Sequence, residues 1–535
     1  MKIYHLVSLF LILMILATPT YALQLPDAGW LPVAEGIEYQ QFDLPDPNNV
    51  FVARMDRSDT DLTIESSIAH GGLSGSVETV RSMAAQSEQA INYWGGSFIT
   101  TTWGARNDVV VAINGSYFDF ETRIMEGGMI HSGWYAKRFE DCGGYTGFGW
   151  TLSRVPFIGE NVKHRAEKNI AVFPAVGSTM QIAMVNEPRV LDELVMYTPQ
   201  YDETTLTNNK GVEVLVELTR PAMLLPAPNV YARGFVRDIR VKDGNNIIPF
   251  DHVVLSASGA LSQTLLANVS LGAEVRISQE LTSGESGDCD APIDLNWTKT
   301  FASVQGHYYF IKNGVINPYE DDPNATDLHP RTAIAYNDQY IFFIVVDGRD
   351  VYHSIGMSIA QLGDFALNAL GATYAVAQDG GGSSTMVVNG VVKNNVYCNN
   401  VFCMDANQKF NYLPFTAKKV TPTLISEGSQ SQFNAYTNTY ERWVPNGMMM
   451  VVVEQPVFTS TFTVTQEVTL SQAAYVYTGP GTNYHVIAEM PAGTTGEIID
   501  ALSMLNGVWA RYAYWWRIDF GDISGWVQQS LLSAR

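Results

Sequence analysis

The sequence predicts an α+β fold, in which a large mixed β-sheet domain carries a few packed helices and one βαβ crossover and is followed by a small C-terminal β module. Three observations predict it. Charged residues make up only 16% of the chain, which contains 44 Gly, 26 Tyr and 24 Phe, a composition that favours β structure. Apolar runs of strand length end at polar residues, with a well-capped helix between two of them. Near the C-terminus, short strands alternate with tight glycine turns.

Length and charge limit the classes of function. At 535 residues, the chain has room for about three or four domains, or for one large domain with appendages. Lys and Arg number 32 against 54 Asp and Glu, so the formal net charge is −22. Binding to nucleic acid or to anionic bilayers needs clustered cations, and neither is expected as a partner. An anionic substrate is still compatible with this balance if one pocket is locally positive.

Residues 1–22 have the pattern of a secretory signal. Lys2 is followed by the apolar run from Leu6 to Ala17, and a small-x-small site ends at Ala22. The run is short for a membrane span of about 20 residues, so we expect cleavage, with an uncleaved anchor as the alternative. No later stretch is long and apolar enough to span. The sequence therefore predicts a secreted or extracytoplasmic protein with no stable membrane span after cleavage.

Four cysteines fit an oxidising compartment, where disulfides form. Cys398 and Cys403 could close a small loop, and Cys142 and Cys289 would then pair at long range. Four cysteines allow three pairings, and the sequence does not choose among them. A zinc site is not expected, because there is no C-x-x-C pair and the His residues are scattered.

A βαβ crossover is the strongest structural signal. The apolar run Tyr340–Val346 ends at Asp347, and the run Tyr374–Ala377 leads to Asp379. Between them, residues 358–371 have a capping box, apolar residues at helical spacing and a terminal glycine. Parallel strands joined by a helix finish at the same edge of a sheet. Asp347 and Asp379 are therefore expected on one rim.

The remaining segments predict the domain organisation. Residues 160–300 have short alternating runs typical of antiparallel strands, and Asn389-Gly390 predicts a type I′ hairpin. Residues 397–438 are expected to form a surface insertion, and Trp443–Glu454 a buried strand. We assign residues 23–456 to the large domain, 457–466 to a linker and 467–535 to the small module.

The C-terminal module resembles the bacterial SH3-type domain. Its tight-turn segment runs from Val476 to Tyr484, and Gly525-Trp526-Val527 closes it. The resemblance implies a small SH3-like β-barrel. Such modules often bind cell-wall peptides or glycans, and often only dock on their own enzyme, so a cell-wall ligand is a possible partner.

The densest candidate for chemistry is the segment that begins at Asp379. It continues with Gly380, Gly381, Gly382, Ser383, Ser384 and Thr385. Glycines let the backbone approach a ligand, and successive N–H groups can form an anion-binding concavity. The hydroxyl groups add donors and acceptors. The alternative is a structural turn whose Asp accepts local N–H bonds.

Other candidates stand at strand ends. Arg331 begins an apolar strand and Arg349 follows Asp347 by two positions; either guanidinium could bind a phosphate with two hydrogen bonds, or form a structural ion pair. Asn114 ends the run Val109–Ile113 and could orient a sugar hydroxyl or occupy a turn.

His131 and His329 could carry protons but are more often structural. No metal or cofactor is expected.

Together these residues resemble the phosphodiester glycosidase family over about residues 45–455. The matching segments are Ala112–Phe118, His329–Ile334, Val346–Arg349, Gly356–Ser358, Asp379–Met386 and Glu441–Asn446. The resemblance implies a hydrolase that releases a sugar joined through its anomeric carbon to a phosphodiester. The sequence departs mildly from the family pattern at Ser116-Tyr117-Phe118 and more strongly in the 397–438 insertion, which bears on substrate identity more than on reaction type.

The resemblance also assigns roles. Arg331, with Arg349, would neutralise the phosphate, the glycine amides would stabilise developing charge, and Asp347 and Asp379 would supply acid–base or nucleophilic function. The division of tasks between the two carboxylates is left open. A non-catalytic protein that binds an anionic polysaccharide and is tethered to the cell wall by its SH3-like module is the alternative function.

Overall fold

The computed structural model describes residues 29–93, 103–139, 146–160, 162–164, 166–220, 231–279, 281–285, 288–294, 300–397, 403–405, 440–500 and 505–535. The predicted signal segment 1–22 lies outside these residues, as does most of the predicted insertion 397–438. The side chains of all four cysteines also lie outside the described part, so the disulfides stay a prediction.

The described residues form mostly β structure, with four helices, as the composition predicted. The first strands are β1 Leu31–Ala34, β2 Ile37–Leu44, β3 Asn48–Asp56, β4 Leu62–Ile68, β5 Ile91–Tyr93, β6 Trp103–Asn114, β7 Met129–His131, β8 Trp134–Lys137, β9 Thr146–Thr151, β10 Pro156–Glu160, β11 Val162–His164, β12 Ile170–Phe173, β13 Ser178–Gln181, β14 Met184–Val185 and β15 Leu194–Tyr197. The next are β16 Gly211–Leu218, β17 Ala232–Val241, β18 His252–Ser258, β19 Glu274–Ser278, β20 Leu281–Glu285, β21 Asp288–Asp294, β22 Thr300–Gly306, β23 Tyr309–Lys312, β24 Val315–Ile316, β25 Arg331–Tyr336, β26 Tyr340–Val346 and β27 Tyr374–Ala377. The last are β28 Met386–Val388, β29 Val391–Val392, β30 Cys403–Asp405, β31 Tyr440–Arg442, β32 Asn446–Glu454, β33 Glu467–Leu470, β34 Ala474–Tyr477, β35 Val486–Met490, β36 Thr495–Ile498, β37 Val508–Ala510, β38 Ala513–Asp519, β39 Ser524–Gln528 and β40 Leu532–Ala534. The helices are α1 Val80–Ser87, α2 Ala260–Asn268, α3 Pro323–Thr326 and α4 Ile359–Asn368.

Two sheets enclose the main core. The first has the order β1-β2-β3-β26-β25-β27-β23-β24, and the second has the order β29-β28-β6-β32-β4 with β5 paired to β6. Apolar side chains of both sheets, such as Phe343 and Ile113, pack in one buried cluster together with Trp150 of a third sheet, β10-β9-β22-β7-β8. Helix α4 covers the other face of the first sheet, and α1 that of the second.

The predicted crossover is present in the first sheet. Strand β26, helix α4 and strand β27 follow one another, and α4 begins with the capping box of Ser358 and Gln361. Strands β26 and β27 run in the same direction but are not neighbours, because β25 lies antiparallel between them. The first residue of β25, Arg331, is paired with Val346 at the end of β26. Both strand ends therefore flank Arg331 at one edge of the sheet.

The region 160–300 forms the predicted, mostly antiparallel unit. Its large sheet has the order β13-β12-β19-β17-β16-β18-β15-β14, in which only the β14–β15 pair is parallel. Its apolar faces and Leu265 of α2 form a separate core. The type I′ hairpin is also present: Asn389 and Gly390 have φ of 48° and 74° between β28 and β29.

The C-terminal strands β33–β40 form one sheet whose core includes Trp516 and Val527. The segment predicted as a linker packs on this module, because Phe462 is buried against the Trp516 ring at a centroid distance of 5.6 Å. The domain boundaries themselves stay a prediction. In the described part of the chain, none of the helices has the length and apolar character needed to cross a membrane.

The module is docked on the rest of the protein by buried contacts. Phe250 packs on Trp526, and Arg517 forms an ion pair of 2.5 Å with Glu217 of β16. At another point Arg511 donates three hydrogen bonds of 2.7 to 2.9 Å to the carbonyl groups at the C-terminal end of α1. These contacts join the module both to the antiparallel region and to the main core.

Arg517→Ala tests how strongly this docking stabilises the chain. The substitution leaves the buried carboxylates of Glu217 and Asp251 with less positive charge nearby, so we expect the free energy of unfolding to fall by roughly 3 kcal/mol. Chemical denaturation followed by tryptophan fluorescence would measure it. The matched control is Arg535→Ala, which removes an exposed pair with Glu467 worth about 0–1 kcal/mol. Equal effects of the two substitutions would contradict a stabilising interface.

Candidate functional site

The candidate site lies where the edges of the two main sheets meet. Asp379 follows β27 of the first sheet, and its amide donates to the carbonyl of Gly115, just beyond the end of β6 in the second sheet, at 2.9 Å. Arg331 begins β25 between the ends of β26 and β27. The structure therefore brings Arg331, Asp379 and the β6 end to one rim, although they are far apart in the chain.

Asn114 holds this junction together. It is fully buried, its Nδ2 donates to the carbonyl of Asp379 at 2.7 Å, and its Oδ1 accepts from Thr332 Oγ1 at 2.8 Å and from the amide of Thr385 at 3.1 Å. These bonds position both ends of the glycine loop, defined here as residues 379–385. Contact of Asn114 with a sugar stays a prediction.

The glycine loop allows guanidinium groups to pack directly on the backbone. Gly381 has φ of 62°, a conformation that favours glycine, and a Cβ there would lie 3.2 Å from Nη2 of Arg349. A Cβ at Gly382 would lie 2.3 Å from Nη2 of Arg442. Larger residues at these two positions would displace the arginines.

Arg442 is a site residue that the sequence did not predict. It lies on β31, its Nη1 donates to Ser383 Oγ at 3.2 Å, and its Nε is buried with no hydrogen-bond partner in the described residues. Its Cζ lies 5.7 Å from the centre of the Phe120 ring. In the sequence it stands within the matching segment Glu441–Asn446, which was the only signal available for it.

Arg331 is held by backbone carbonyl groups instead of the ion pair considered from the sequence. Its Nε donates to Met357 at 2.8 Å, and its Nη2 donates to Asn324 at 2.6 Å and to Asp327 at 2.9 Å. Carbonyl groups orient the guanidinium without neutralising its charge. Arg331 is 4% exposed, so this positive charge is largely shielded from solvent.

The Arg349 guanidinium acts electrostatically on the other two. Burial lowers the pKa of Arg331, and the positive charge of Arg349 lowers it further. Burial likewise lowers the pKa of Arg442; Asp379 opposes this shift and Arg349 adds to it. Arg349 itself is exposed, and its guanidinium also lies 5.8 Å from the Tyr397 ring. The cluster of Arg331, Arg349 and Arg442 is therefore a region of concentrated positive charge in an acidic protein.

Asp379 is the carboxylate of this cluster. It is 8% exposed, and it accepts hydrogen bonds from Ser383 Oγ and from the amide of Gly380. Burial raises the pKa of Asp379 to about 6; Arg442 opposes the shift, and the negative charge of Glu126 adds to it. The group can therefore exchange a proton near neutral pH.

Asp347 has a different set of partners. It accepts from Nδ2 of Asn394 at 3.1 Å and from the amide of Asn395 at 3.0 Å, and burial raises its pKa to about 7. Asn394 in turn donates to the carbonyl of Ser384 at 2.9 Å and accepts from the amide of Met386. Within the described ranges, no ion pair or hydrogen bond links Asp347 to an arginine or to Asp379, so its described link to the site runs through Asn394.

The loop hydroxyls have unequal surroundings. Ser383 Oγ bridges Asp379 and Arg442. The hydroxyls of Ser384 and Thr385 are buried and have no hydrogen-bond partner among the described residues. Their contact with a substrate stays a prediction.

A small recess, large enough for about one water molecule, lies near the cluster. It is lined by Ser116, Tyr117, Glu126, Gln305, Gly306 and His307. Burial raises the pKa of Tyr117, and the negative charge of Asp379 raises it further, while the positive charge of Arg331 lowers it. Tyr117 therefore lies within electrostatic reach of both residues. The sequence did not single out these recess residues, although Tyr117 stands in the Ala112–Phe118 segment.

The two histidines considered from the sequence have separate environments. His131 lies on β7 with its Nδ1 3.0 Å from Ser66 Oγ, beside the buried Glu65. Burial lowers the pKa of His329, and Arg331 and Arg349 lower it further. In the ranges given above, no three His, Cys, Asp or Glu side chains lie together as a metal-binding group.

Comparison with known proteins supports the predicted resemblance. Residues 230–408 match the model of the phosphodiester glycosidase family, and residues 472–533 match that of the bacterial SH3 domain. No curated protein matches the chain by sequence. The first of these ranges contains Arg331, Asp347, Arg349 and the glycine loop, whereas Asn114, Tyr117 and Arg442 lie outside it.

Three solved structures are distantly similar. A Synechocystis protein has 13% identity and a TM-score of 0.48 over 79% of this chain, which spans 63% of that protein's length, less than two thirds. A Burkholderia pseudomallei protein has 16% identity and a TM-score of 0.44 over 77% of this chain and 75% of its own. The catalytic domain of zebrafish N-acetylglucosamine-1-phosphodiester alpha-N-acetylglucosaminidase, auto-inhibited by its pro-peptide, has 14% identity and a TM-score of 0.32 over 69% of this chain and 77% of its own.

Likenesses this distant carry no argument about function, which must rest on the family matches and on the geometry. The resemblance predicted from the motifs is confirmed by those matches: residues 230–408 are similar to the phosphodiester glycosidase family, and residues 472–533 are similar to the bacterial SH3 domain.

Proposed function

We propose that the protein is a hydrolase that cleaves sugar 1-phosphodiesters and releases the free sugar. The observation that carries this proposal is the packing of Arg349 and Arg442 on the glycine loop beside the buried carboxylate of Asp379, with the buried Arg331 within electrostatic reach of Arg349. Like charges held together destabilise one another until an anion lies between them. A phosphate diester offers a negative charge with several acceptor oxygens, which guanidinium groups bind well.

The arginines would make phosphate the leaving group. When the bond between C1 of the sugar and the bridging oxygen breaks, its electron pair stays on the phosphate, where the guanidinium groups stabilise the added charge. Each such donor is typically worth about 10²–10³ in rate at a shielded site. A phosphate leaving group of low basicity needs no proton, so no acid is required on that side.

Asp379 would then act as a base. Its carboxylate takes a proton from a water molecule whose oxygen bonds to C1 as the C1–O bond breaks, and the products are the free sugar and a phosphate monoester. Asp347 was expected to share this chemistry, and that role stays a prediction. Its contacts support another role, in which Asp347 positions the glycine loop through Asn394.

We also propose that the protein works outside the cytoplasm, on a glycan of the cell surface or its surroundings. The signal-like residues 1–22 and the bacterial SH3 domain support this location. The SH3 domain would add a cell-wall ligand as a second partner. Its buried contacts with Glu217 and α1 mean that such a ligand would have to bind a surface of the module that is not already docked.

Hydrolysis of N-acetylglucosamine α-1-phosphate methyl diester in ¹⁸O water tests the reaction. We expect methyl phosphate without the label, because the C1–O bond breaks and the labelled oxygen goes to the sugar. Asp379→Asn should keep the Ser383 hydrogen bond and lower kcat by roughly 10²–10⁴-fold, whereas the exposed Asp364→Asn should leave it unchanged.

Two results would contradict this proposal. Label found in the phosphate would show that the P–O bond breaks, and full activity of Asp379→Asn would remove its assigned base. Retention of an anionic polysaccharide without any product, by the wild-type chain and on a panel of sugar 1-phosphodiesters, would favour the alternative of a non-catalytic, wall-tethered protein.

The pH dependence follows from the state of Asp379. The carboxylate form is the active one, and burial raises the pKa to about 6. Activity is therefore lost as Asp379 becomes protonated below this pKa, and kcat/KM should rise with pH through about 6 and then level off. Initial rates measured from acid to neutral pH on the stable enzyme would give the profile. A profile that falls through the same range would mean that Asp379 donates a proton.

A further inference from the structure

A hydrogen-bonded turn, residues 350–354, presents two large hydrophobic side chains to solvent. Val351 and Tyr352 form its tip and are 71% and 84% exposed. The backbone groups of Asp350 and Ser354 exchange two hydrogen bonds of 2.9 Å across its base, and the amide of Tyr352 donates to the Asp350 carboxylate at 3.0 Å. The conformation of this segment, which we call the apolar turn, is therefore fixed by its own polar groups while its tip stays in water.

The apolar turn directly follows the most accessible arginine of the cluster. Arg349 is exposed, whereas the other two arginines are buried, and a Cβ at Gly381 would lie 3.2 Å from its Nη2. Its amide donates to the carbonyl of Ile355, just past the turn, at 3.3 Å. Because consecutive Cα atoms are about 3.8 Å apart, the Cα atoms of Val351 and Tyr352 lie within roughly 11 Å of that of Arg349. A ligand of Arg349 that is longer than a phosphate can therefore reach these side chains.

A third exposed apolar side chain lies on the adjoining loop. Leu328 is 42% exposed and precedes His329, which forms a β-bridge with Met357 through bonds of 3.0 and 3.3 Å. Gly356 packs on the His329 backbone, since a Cβ there would lie 2.6 Å from its carbonyl group. The loop of Leu328 and the segment of the apolar turn therefore run side by side. Single exposed apolar residues are ordinary, but several together with a polar surround are typical of an interaction site.

The proposed reaction indicates what would cover these side chains. A phosphodiester has two ester arms, and the sugar arm is attacked at C1 beside Asp379. The alcohol arm stays on the phosphate and departs with it as a phosphate monoester. Since Arg349 is the exposed arginine, the alcohol arm would extend outwards on its side, where the apolar turn lies. Contact with an apolar alcohol would remove apolar surface from water on both partners, which favours binding.

We propose that Val351, Tyr352 and Leu328 bind an apolar alcohol on the phosphate of the substrate, so that the enzyme prefers sugar 1-phosphodiesters of alkyl alcohols; this inference rests on the proposed function. A polar alcohol, such as a second sugar, would place hydroxyl groups against these side chains and lose hydrogen bonds to water. The net charge of −22 disfavours an anionic membrane surface as the occupant. The ligand of the apolar turn is thus the alkyl arm of a single substrate molecule.

The test compares the methyl and octyl phosphodiesters of N-acetylglucosamine α-1-phosphate, used below the concentration at which the octyl compound forms micelles. In the wild-type enzyme, kcat/KM should be roughly tenfold higher for the octyl compound, the change expected when about two methylene groups are buried. The combined substitutions Val351→Ser and Tyr352→Ser should bring the octyl-to-methyl ratio close to one, whereas Tyr352→Phe should keep it. The matched controls Val315→Ser and Tyr512→Ser alter similarly exposed residues elsewhere and should leave the ratio unchanged.

Binding distinguishes failure of this inference from failure of the proposed reaction. Calorimetric titration with methyl phosphate and octyl phosphate needs no turnover, and the octyl compound should bind more tightly by a similar factor, which the Val351→Ser and Tyr352→Ser protein should lose. The same octyl-to-methyl ratio in that protein and in the wild type would overturn the inference, even if the methyl diester is hydrolysed. Tighter binding of octyl phosphate without turnover of either diester would support the apolar turn while contradicting the proposed hydrolysis.

Sedimentation with phosphatidylcholine vesicles separates the alkyl arm from a membrane as the occupant. We expect the protein to stay in the supernatant. Vesicle binding that is lost in the Val351→Ser and Tyr352→Ser protein, together with an octyl-to-methyl ratio near one in the wild type, would assign the apolar turn to a lipid surface and overturn the inference.

Discussion

The site depends on holding Arg349 near two buried guanidinium groups, those of Arg331 and Arg442, whose positive charges repel its own. Arg331 is oriented by three backbone carbonyls, Arg442 by Ser383 and the charge of Asp379, and Arg349 by its contact with the glycine loop. Carbonyl groups fix geometry without cancelling charge; the Asp379 carboxylate acts on Arg442, and the Asp327 carboxylate acts on Arg331. The fold therefore stabilises a preformed positive site, and an incoming phosphate would relieve the repulsion within it. A preorganised positive site of this kind favours the development of negative charge in a transition state.

That arrangement requires the glycine loop to be rigid, and two asparagines supply the rigidity. Asn114 joins the loop to the end of β6 and to β25, whereas Asn394 joins it to Asp347. Buried amide side chains with these bonds link the edges of the two sheets at the site. The site is therefore formed by tertiary contacts between distant segments. Substitution of either asparagine would affect the site by displacing the glycine loop.

The parts of this structure that the sequence predicted depend on local signals. The crossover follows from two apolar runs and the capping box of Ser358, and the hairpin follows from Asn389-Gly390. The pattern placed Arg331 at the start of a strand, and the register of the sheet places that strand between β26 and β27. Arg442 and the recess residues were missed because long-range packing brings them to the site. The separate surroundings of Asp347 and Asp379 were also not predictable, since they depend on Asn394 and Arg442, which come from other segments.

Calorimetric titration with inorganic phosphate tests the central claim most directly, because it asks whether the arginine cluster is an anion site. The account predicts saturable binding that weakens at least tenfold in Arg442→Gln and is unaffected in Arg233→Gln, an exposed arginine of β17 paired with Glu274. Absence of phosphate binding, or equal binding by the wild-type protein and Arg442→Gln, would contradict it.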